Sequence, residues 1–124
     1  MAQLTRFKYF GQFGPTLRML RQKAAYSLRQ FAAMVGLSPS YLSRIERGKD
    51  PPPPETKIKR IAELLGGEPD DWLAAAGRVA YDLQLIIRLH PALYGALLRS
   101  LSRLPYLEMS AKVEWIIGRP IPRE

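Results

Sequence analysis

The sequence contains no cysteine, and His90 is its single histidine. The lack of cysteine excludes disulfide scaffolds, thiolate-bound zinc, iron–sulfur clusters and thiol catalysis. With only one histidine, the usual zinc ligand sets cannot be assembled, and acid–base catalysis would depend on carboxylates or lysines. We therefore expect no metal, no other cofactor and no enzymatic activity. His90 precedes a proline at a predicted helix junction, where we expect it to cap a helix or to be partly buried.

Long apolar runs are also missing. None approaches the roughly 20 residues that span a bilayer, and residues 1–14 lack the apolar core of a signal peptide. The composition, 47% hydrophobic and 24% charged, is typical of a folded globular protein. These features predict a cytoplasmic protein with no membrane partner.

Acidic residues are few compared with basic ones. The chain has 11 Asp and Glu residues against 19 Lys and Arg residues, for a formal charge of +8. Residues 1–50 hold nine of the basic residues and two of the acidic ones, so this part alone carries +7. Such an excess favours a polyanionic partner, with nucleic acid ahead of an anionic membrane surface. We expect the anion-binding surface in the N-terminal part of the chain.

Proline, serine and glycine mark the ends of the first predicted helices. The first runs from about Pro15 to Ala25, with the proline in its first turn. Ser27 and Gln30 have the spacing of a capping box, which opens the second helix. Gly36 then provides a left-handed cap that ends it.

The third predicted helix has the same kind of start. Ser38 is its expected N-cap, and Pro39 occupies the first helical position. Leu42 and Ile45 face inward in this pattern, and Gly48 ends the helix.

Four consecutive prolines, residues 51–54, interrupt the helical pattern. We expect them to form a rigid spacer, and the weaker alternative is a peptide ligand for an SH3-like groove. A fourth helix follows, supported by the i,i+4 pair of Glu55 and Lys59, and ends at Gly66. A fifth helix begins near Asp70 and stops at Gly77.

The run SLRQFAAMVGLSPSYLSRIERG, from Ser27 to Gly48, closely resembles the Xre/Cro/CI family of bacterial and phage repressors. The resemblance extends over about residues 14–77. It implies an all-α fold, in which a five-helix lambda-repressor-like DNA-binding domain at 15–77 is followed by a short helical C-terminal segment at 78–124.

The resemblance also implies roles for the side chains on the third helix, which is the recognition helix of such proteins. Arg44 is the best candidate for a bidentate contact to guanine, and Pro39 can touch only a thymine methyl. Leu28 stands where the family often has a glutamine that meets the DNA backbone, so that contact is expected to be absent. The expected base-reading residues are Pro39, Ser40, Ser43 and Arg44. The expected phosphate-binding residues are Ser27, Arg29, Ser38, Tyr41, Arg47 and Lys49.

A structural ion pair is implied in the same way. The family pairs an arginine of the first helix with the glutamate before the final Arg-Gly of the motif, and these positions are Arg21 and Glu46. If the pair is partly buried, removal of either partner destabilises the fold and abolishes DNA binding indirectly.

Residues 1–14 combine basic and aromatic side chains and contain two glycines, which predicts an N-terminal arm before the first helix. Three alternatives stay open for this arm. Its basic residues could reach an adjacent minor groove, Phe7, Phe10 or Phe13 could dock on the core, or the arm could be disordered.

The segment 78–124 carries its own apolar stripe at helical spacing. It predicts helices at about 79–90 and 91–103, and a last short helix within Val113 to Ile117. The stripe consists of Leu83, Ile86, Ile87, Leu93, Leu97, Leu98 and Leu101. We expect it to form a homodimer that places two recognition helices about 34 Å apart on DNA, although packing within the chain stays open.

Together these observations predict a sequence-specific regulator of transcription that binds double-stranded DNA at the nucleoid. The preferred interpretation is a dimeric repressor on a palindromic operator. The alternative is an antitoxin-like or protease-controlled repressor whose C-terminal segment binds a partner protein.

Overall fold

The computed structural model describes residues 12–121, which form eight α-helices and no strand. The helices are α1 (Phe13–Lys23), α2 (Leu28–Val35), α3 (Pro39–Glu46), α4 (Glu55–Leu65), α5 (Pro69–Ala75), α6 (Tyr81–Leu89), α7 (Pro91–Ser102) and α8 (Tyr106–Ile117). They divide into two compact units, the first ending at Ala80 and the second beginning at Tyr81. The all-helical fold expected from the sequence is confirmed.

Helix α1 begins two residues earlier than its sequence pattern predicts, at Phe13 instead of Pro15. Phe13 is buried, and its ring meets the edge of the Trp72 ring at a centroid distance of 5.8 Å. This aromatic contact stabilises a first turn that contains both glycine and proline. Of the alternatives for the arm, docking on the core is therefore realised for Phe13, whereas residues 1–11 lie outside the described residues.

Gly14 allows α1 and α3 to approach closely. A Cβ atom at this position would lie 2.2 Å from the carbonyl oxygen of Ile45 and 2.9 Å from that of Glu46. Both are backbone atoms, so neither can move aside cheaply. The glycine is thus part of the packing that holds α3 on α1.

The ends of α2 and α3 follow the local signals in the sequence. The Gln30 N–H donates to Ser27 Oγ at 3.1 Å, and the Ser27 N–H donates to Gln30 Oε1 at 3.4 Å, which completes the capping box. Gly36 has φ 89° and ends α2. The Tyr41 N–H donates to Ser38 Oγ at 3.2 Å, and Pro39 begins α3. These four predictions are confirmed.

One apolar core holds the first unit together. Helices α1 and α2 both pack on α3, while α4 packs on α5 and α2. Sixteen buried apolar residues form this core: Phe13, Leu17, Leu20, Phe31, Ala32, Val35, Leu42, Ile45, Ile58, Ile61, Ala62, Leu65, Trp72, Leu73, Ala75 and Ala80.

The proline run is an integral part of the first unit. Pro53 is fully buried, and the guanidinium of Arg78 donates to the carbonyl oxygens of Pro52, at 2.7 Å, and Pro53. Because its third residue is buried, the run acts as a packed spacer and not as a displayed peptide ligand. Arg78 and the buried Ala80 extend the first unit three residues beyond the predicted boundary after Gly77.

The second unit consists of α6, α7 and α8. Helices α6 and α7 lie within one or two residues of their predicted limits, but α8 has 12 residues where the sequence predicts a short helix at 113–117. The expected role of His90 is wrong. It occupies the N-cap position of α7, yet its side chain makes no capping hydrogen bond and is exposed.

Candidate nucleic-acid interface

Helix α3, which the resemblance implies is the recognition helix, has one buried face and one solvent face. Leu42 and Ile45 are buried in the core. On the other side Pro39, Ser40 and Arg44 are exposed, while Ser43 is half-buried. The four predicted base-reading residues therefore lie on or beside one accessible surface of α3.

The predicted phosphate-binding residues lie around the starts of α2 and α3 and the end of α3. All are exposed except Tyr41, which is half-buried and packs against the core. Each serine oxygen accepts a capping hydrogen bond, so its hydroxyl hydrogen can still be donated to a phosphate. The set comprises Ser27, Arg29, Ser38, Tyr41, Arg47 and Lys49.

A concave surface joins three of the helices near these residues. It has a volume of about 280 Å³, and its lining includes Arg18 of α1, Leu28 of α2 and Arg47 of α3. Arg18 is exposed and was missed by the sequence analysis, because only the folded chain shows that it faces the same depression as Arg47. Leu28 lies there as well and offers no polar side-chain atom to a phosphate.

Arg21 and Glu46 meet as a buried ion pair between α1 and α3. Arg21 Nε donates to Glu46 Oε2 at 2.6 Å and Nη2 donates to Oε1 at 2.9 Å, with side-chain exposures of 8% and 4%. Nη1 donates to the Tyr26 carbonyl at 2.8 Å. The hydrogen bond to Glu46 raises the pKa of Arg21 above its ordinary value despite burial. The raised pKa means that the ion pair favours the charged form of Arg21 in the folded chain.

Arg44 also has a carboxylate partner, which the sequence analysis did not assign. Its Nε donates to Asp50 Oδ2 at 2.9 Å, and its Nη2 donates to Oδ1 at 3.0 Å. This hydrogen bonding, with the negative charge of Asp50, raises the pKa of Arg44 above its ordinary value. The main candidate for reading a base is thus held by a second residue just beyond the end of α3.

The predicted dimerisation stripe lies in the second unit. Most of its members are exposed, and Ile87 and Leu101 are half-buried. The exposed members are Leu83, Ile86, Leu93, Leu97 and Leu98. Helix α8 adds Trp115, which is 84% exposed.

Within residues 12–121, no three His, Asp or Glu side chains are grouped so that they could hold a metal ion. None of the helices in that same range is both long and apolar enough to span a membrane.

Two short helices joined at residues 36–38, the second N-capped by serine and polar on its accessible face, define a helix-turn-helix domain. In this class of domain the second helix enters the major groove of DNA. A family model described as a helix-turn-helix domain matches residues 12–76, just over half of the chain. The chain belongs to this family, which confirms the resemblance seen in the sequence and agrees with the expectation that it is not an enzyme.

Three curated relatives come from Bacillus subtilis (strain 168). The chain is 36% identical over 67 residues to a protein named Uncharacterized HTH-type transcriptional regulator RghRB. This match covers 54% of the chain and 48% of the relative. The chain is 42% identical over 53 residues to the HTH-type transcriptional repressor RghR, and this match covers 43% of the chain and 39% of the relative. It is 38% identical over 52 residues to the HTH-type transcriptional regulator SlrR, and this match covers 42% of the chain and 34% of the relative.

The chain thus spans less than half the length of each of these relatives. No solved structure matches it closely enough to support a comparison.

Proposed function

We propose that the chain is a sequence-specific transcriptional regulator that binds double-stranded DNA through α3. The observation that carries the proposal is the accessible face of α3, where exposed Ser40 and Arg44 project from a helix whose other face is packed in the core. Because its buried face fixes the helix, the backbone that carries these polar side chains loses little conformational freedom when they contact a groove. The names of the three relatives support the same activity.

Charge supports DNA as the ligand. Nine of the 19 basic residues lie in residues 1–50, and Arg29, Arg47 and Lys49 are exposed near the ends of α2 and α3. These residues neutralise phosphates and release counterions, which makes affinity fall with salt. In this proposal they set the register of α3, while Ser40, Ser43 and Arg44 read bases and Pro39 contacts a thymine methyl.

The salt dependence of duplex binding tests the phosphate contacts. Arg47→Ala should weaken binding to all duplex sequences and make the negative slope of log K against log salt shallower by about 0.9, the value for one phosphate. Lys59→Ala is the matched control, since Lys59 is half-exposed on α4 and pairs with Glu55 at 3.1 Å. Fluorescence anisotropy over a salt series measures both slopes. Equal slopes for Arg47→Ala and the unmodified chain would contradict the assignment of Arg47.

The proposed working form is a homodimer on a palindromic operator. Among the described residues of α6, α7 and α8, only Ser110 is buried, although these helices carry many large apolar side chains. Apolar surface of this extent is stabilised when another protein surface covers it. A two-fold dimer would give two recognition helices for two half-sites, and occupancy of such a site at a promoter would block polymerase. Such a repressor acts in the cytoplasm, at the nucleoid.

Neighbouring residues of α7 provide a matched test of the dimer. Leu93 is 68% exposed and Ala92 is also exposed, so glutamate is tolerated by the single chain at either position. The two positions point about 100° apart around the helix. Light scattering should give the mass of two chains for the unmodified protein and for Ala92→Glu, and of one chain for Leu93→Glu. A monomeric unmodified protein, or a dimeric Leu93→Glu variant, would contradict dimerisation through this stripe.

The same exposed surface favours one second candidate, a repressor controlled by a partner protein bound to residues 81–121. This is the antitoxin-like or protease-controlled alternative. It predicts that the purified chain is monomeric and binds DNA with a single half-site. The mass measurement therefore distinguishes the two candidates.

A further inference from the structure

Arg44 and Asp50 form a two-pronged ion pair at the edge of the recognition surface. Arg44 Nε and Nη2 donate to the two oxygens of Asp50 at 2.9 and 3.0 Å. The Arg44 side chain is 57% exposed and that of Asp50 is 23% exposed. The arginine thus reaches into solvent, while the carboxylate behind it is largely shielded.

The backbone holds Asp50 in this position. The Gly48 N–H donates to the Ile45 carbonyl at 3.0 Å and the Lys49 N–H donates to the Arg44 carbonyl at 2.8 Å, which is the Schellman pattern with Gly48 at φ 72°. The Asp50 N–H adds a third bond, to the Arg44 carbonyl at 3.2 Å. The carboxylate is therefore placed relative to the same turn of α3 that carries the arginine.

The pair leaves Arg44 able to bind a base. A guanidinium has five N–H donors in one plane, and Asp50 uses the Nε hydrogen and one Nη2 hydrogen. The other edge, formed by Nη1 and the second Nη2 hydrogen, keeps the spacing that matches the N7 and O6 acceptors of guanine. Asp50 and a guanine can therefore bind two adjacent edges of Arg44, which share Nη2, at the same time.

We propose that Asp50 is a positioning residue that holds Arg44 in the plane and direction needed to read a guanine, and so determines specificity at that base pair. This inference rests on the DNA-binding function proposed above. An exposed ion pair contributes little to stability, because water screens it. Its consequence for binding is larger, since a side chain already held in place loses less freedom on contact with the base.

The negative charge of Asp50 also increases specificity, because it lowers the affinity for sequences that lack this guanine. It lies beside a basic surface that meets phosphates, so it weakens binding to any duplex through repulsion. The loss is recovered only where a guanine accepts from Arg44. Specificity is the difference between the affinity for the selected site and the affinity for other sites. Asp50 increases this difference, because it favours the contact of Arg44 with guanine and weakens binding to other sequences.

The test begins with selection of binding sites from random duplex DNA by the full chain, which identifies the base pair whose preference disappears in Arg44→Ala. The Kd for the site changed at that one base pair is then measured and divided by the Kd for the selected site. Asp50→Ala should lower this ratio about tenfold, within the range that a bidentate arginine contact provides. Asp50→Asn, which keeps the shape but not the charge, should lower it less. Binding of either variant to random duplex should be as tight as that of the unmodified chain or tighter.

Two controls separate positioning from a general effect. Glu63→Gln removes the carboxylate of another exposed arginine pair, with Arg60 at 3.0 Å on α4, and should leave the ratio unchanged. In the Arg44→Ala background, Asp50→Ala should have no further effect on the ratio. Thermal unfolding of each variant shows whether it remains folded.

An unchanged or increased ratio in Asp50→Ala, or an equal loss in the Arg44→Ala background, would overturn the inference and leave the proposed function standing. Failure of the unmodified chain to select any motif would instead overturn the proposed function, and the role of Asp50 with it.

Discussion

The two compact units of this chain differ in what they bury. The first contains all sixteen residues of the apolar core, with Trp72, Phe31 and Leu17 among the most enclosed. The second has three helices that are richer in apolar residues, yet Ser110 is its only described buried residue. The first unit is stabilised by its own contacts, whereas the second presents its apolar side chains outward.

This difference agrees with the two proposed functions, DNA binding by the first unit and association with another chain by the second. A helix that reads DNA has to be held rigidly, and a closed core with a buried ion pair does this for α3. A helix that associates with another chain has to keep its apolar face accessible until association. Substitutions in the first unit should therefore change stability, and those in the second should change assembly.

The largest expected effect is the loss of the buried pair in the first unit. Glu46→Ala leaves the charge of Arg21 buried without its partner, so the free energy of unfolding should fall by about 3–5 kcal/mol. Urea denaturation measures this change. A variant with Arg21→Met and Glu46→Leu together should be less destabilised than Glu46→Ala, because no unpaired charge remains.

The exposed pair of Arg60 and Glu63 provides the control. Glu63→Gln should change the free energy of unfolding by no more than about 0.5 kcal/mol. A cost below about 1 kcal/mol for Glu46→Ala would mean that the buried pair does not hold α3 on α1.

Each unit has a glycine within a helix, and the surroundings of the two glycines differ. Gly14→Ala in α1 places a Cβ against the Ile45 carbonyl oxygen and should cost about 1–3 kcal/mol through overpacking. Gly95→Ala in α7 meets only the side chain of Arg99, which can move, and should be neutral or stabilising by up to about 1 kcal/mol. Thermal unfolding of the two variants compares them directly. Equal effects at both positions would contradict the close approach of α1 and α3.

The smallest expected effect is a stabilisation at the end of α1. Ala25 has φ 63°, in the left-handed region that glycine adopts more readily, and occupies the position where helices usually end with glycine. Ala25→Gly should therefore raise the free energy of unfolding by about 0.5–1 kcal/mol. Ala24→Gly, one residue earlier at φ −81°, should not be stabilising and serves as the control in the same denaturation experiment.

Features determined by neighbouring residues could be predicted from the sequence. The capping box of Ser27 and Gln30, the cap of Ser38 and the left-handed Gly36 each depend on residues within a few positions, and the structure confirms them. The pairing of Glu55 and Lys59 one helical turn apart is local in the same sense.

Features that depend on distant contacts could not be predicted in this way. Gly14 suggests the end of an arm, but its close packing on α3 makes it part of α1. Arg78 finds its partners at Pro52 and Pro53, about 25 positions away in the sequence. The partnership of Arg44 and Asp50 depends on how the chain turns after α3, so the sequence pattern indicates the reading residue without indicating what positions it.

In the proposed function, α3 reads a DNA sequence and two copies of it act together. Selection of binding sites from random duplex DNA with the full chain tests this most directly, in parallel with the Leu93→Glu variant. We expect a two-fold symmetric motif for the full chain, with half-sites about one turn of DNA apart, and a single half-site for the variant. No enriched motif for the full chain would contradict sequence-specific binding, and an unchanged symmetric motif for Leu93→Glu would contradict pairing through the second unit.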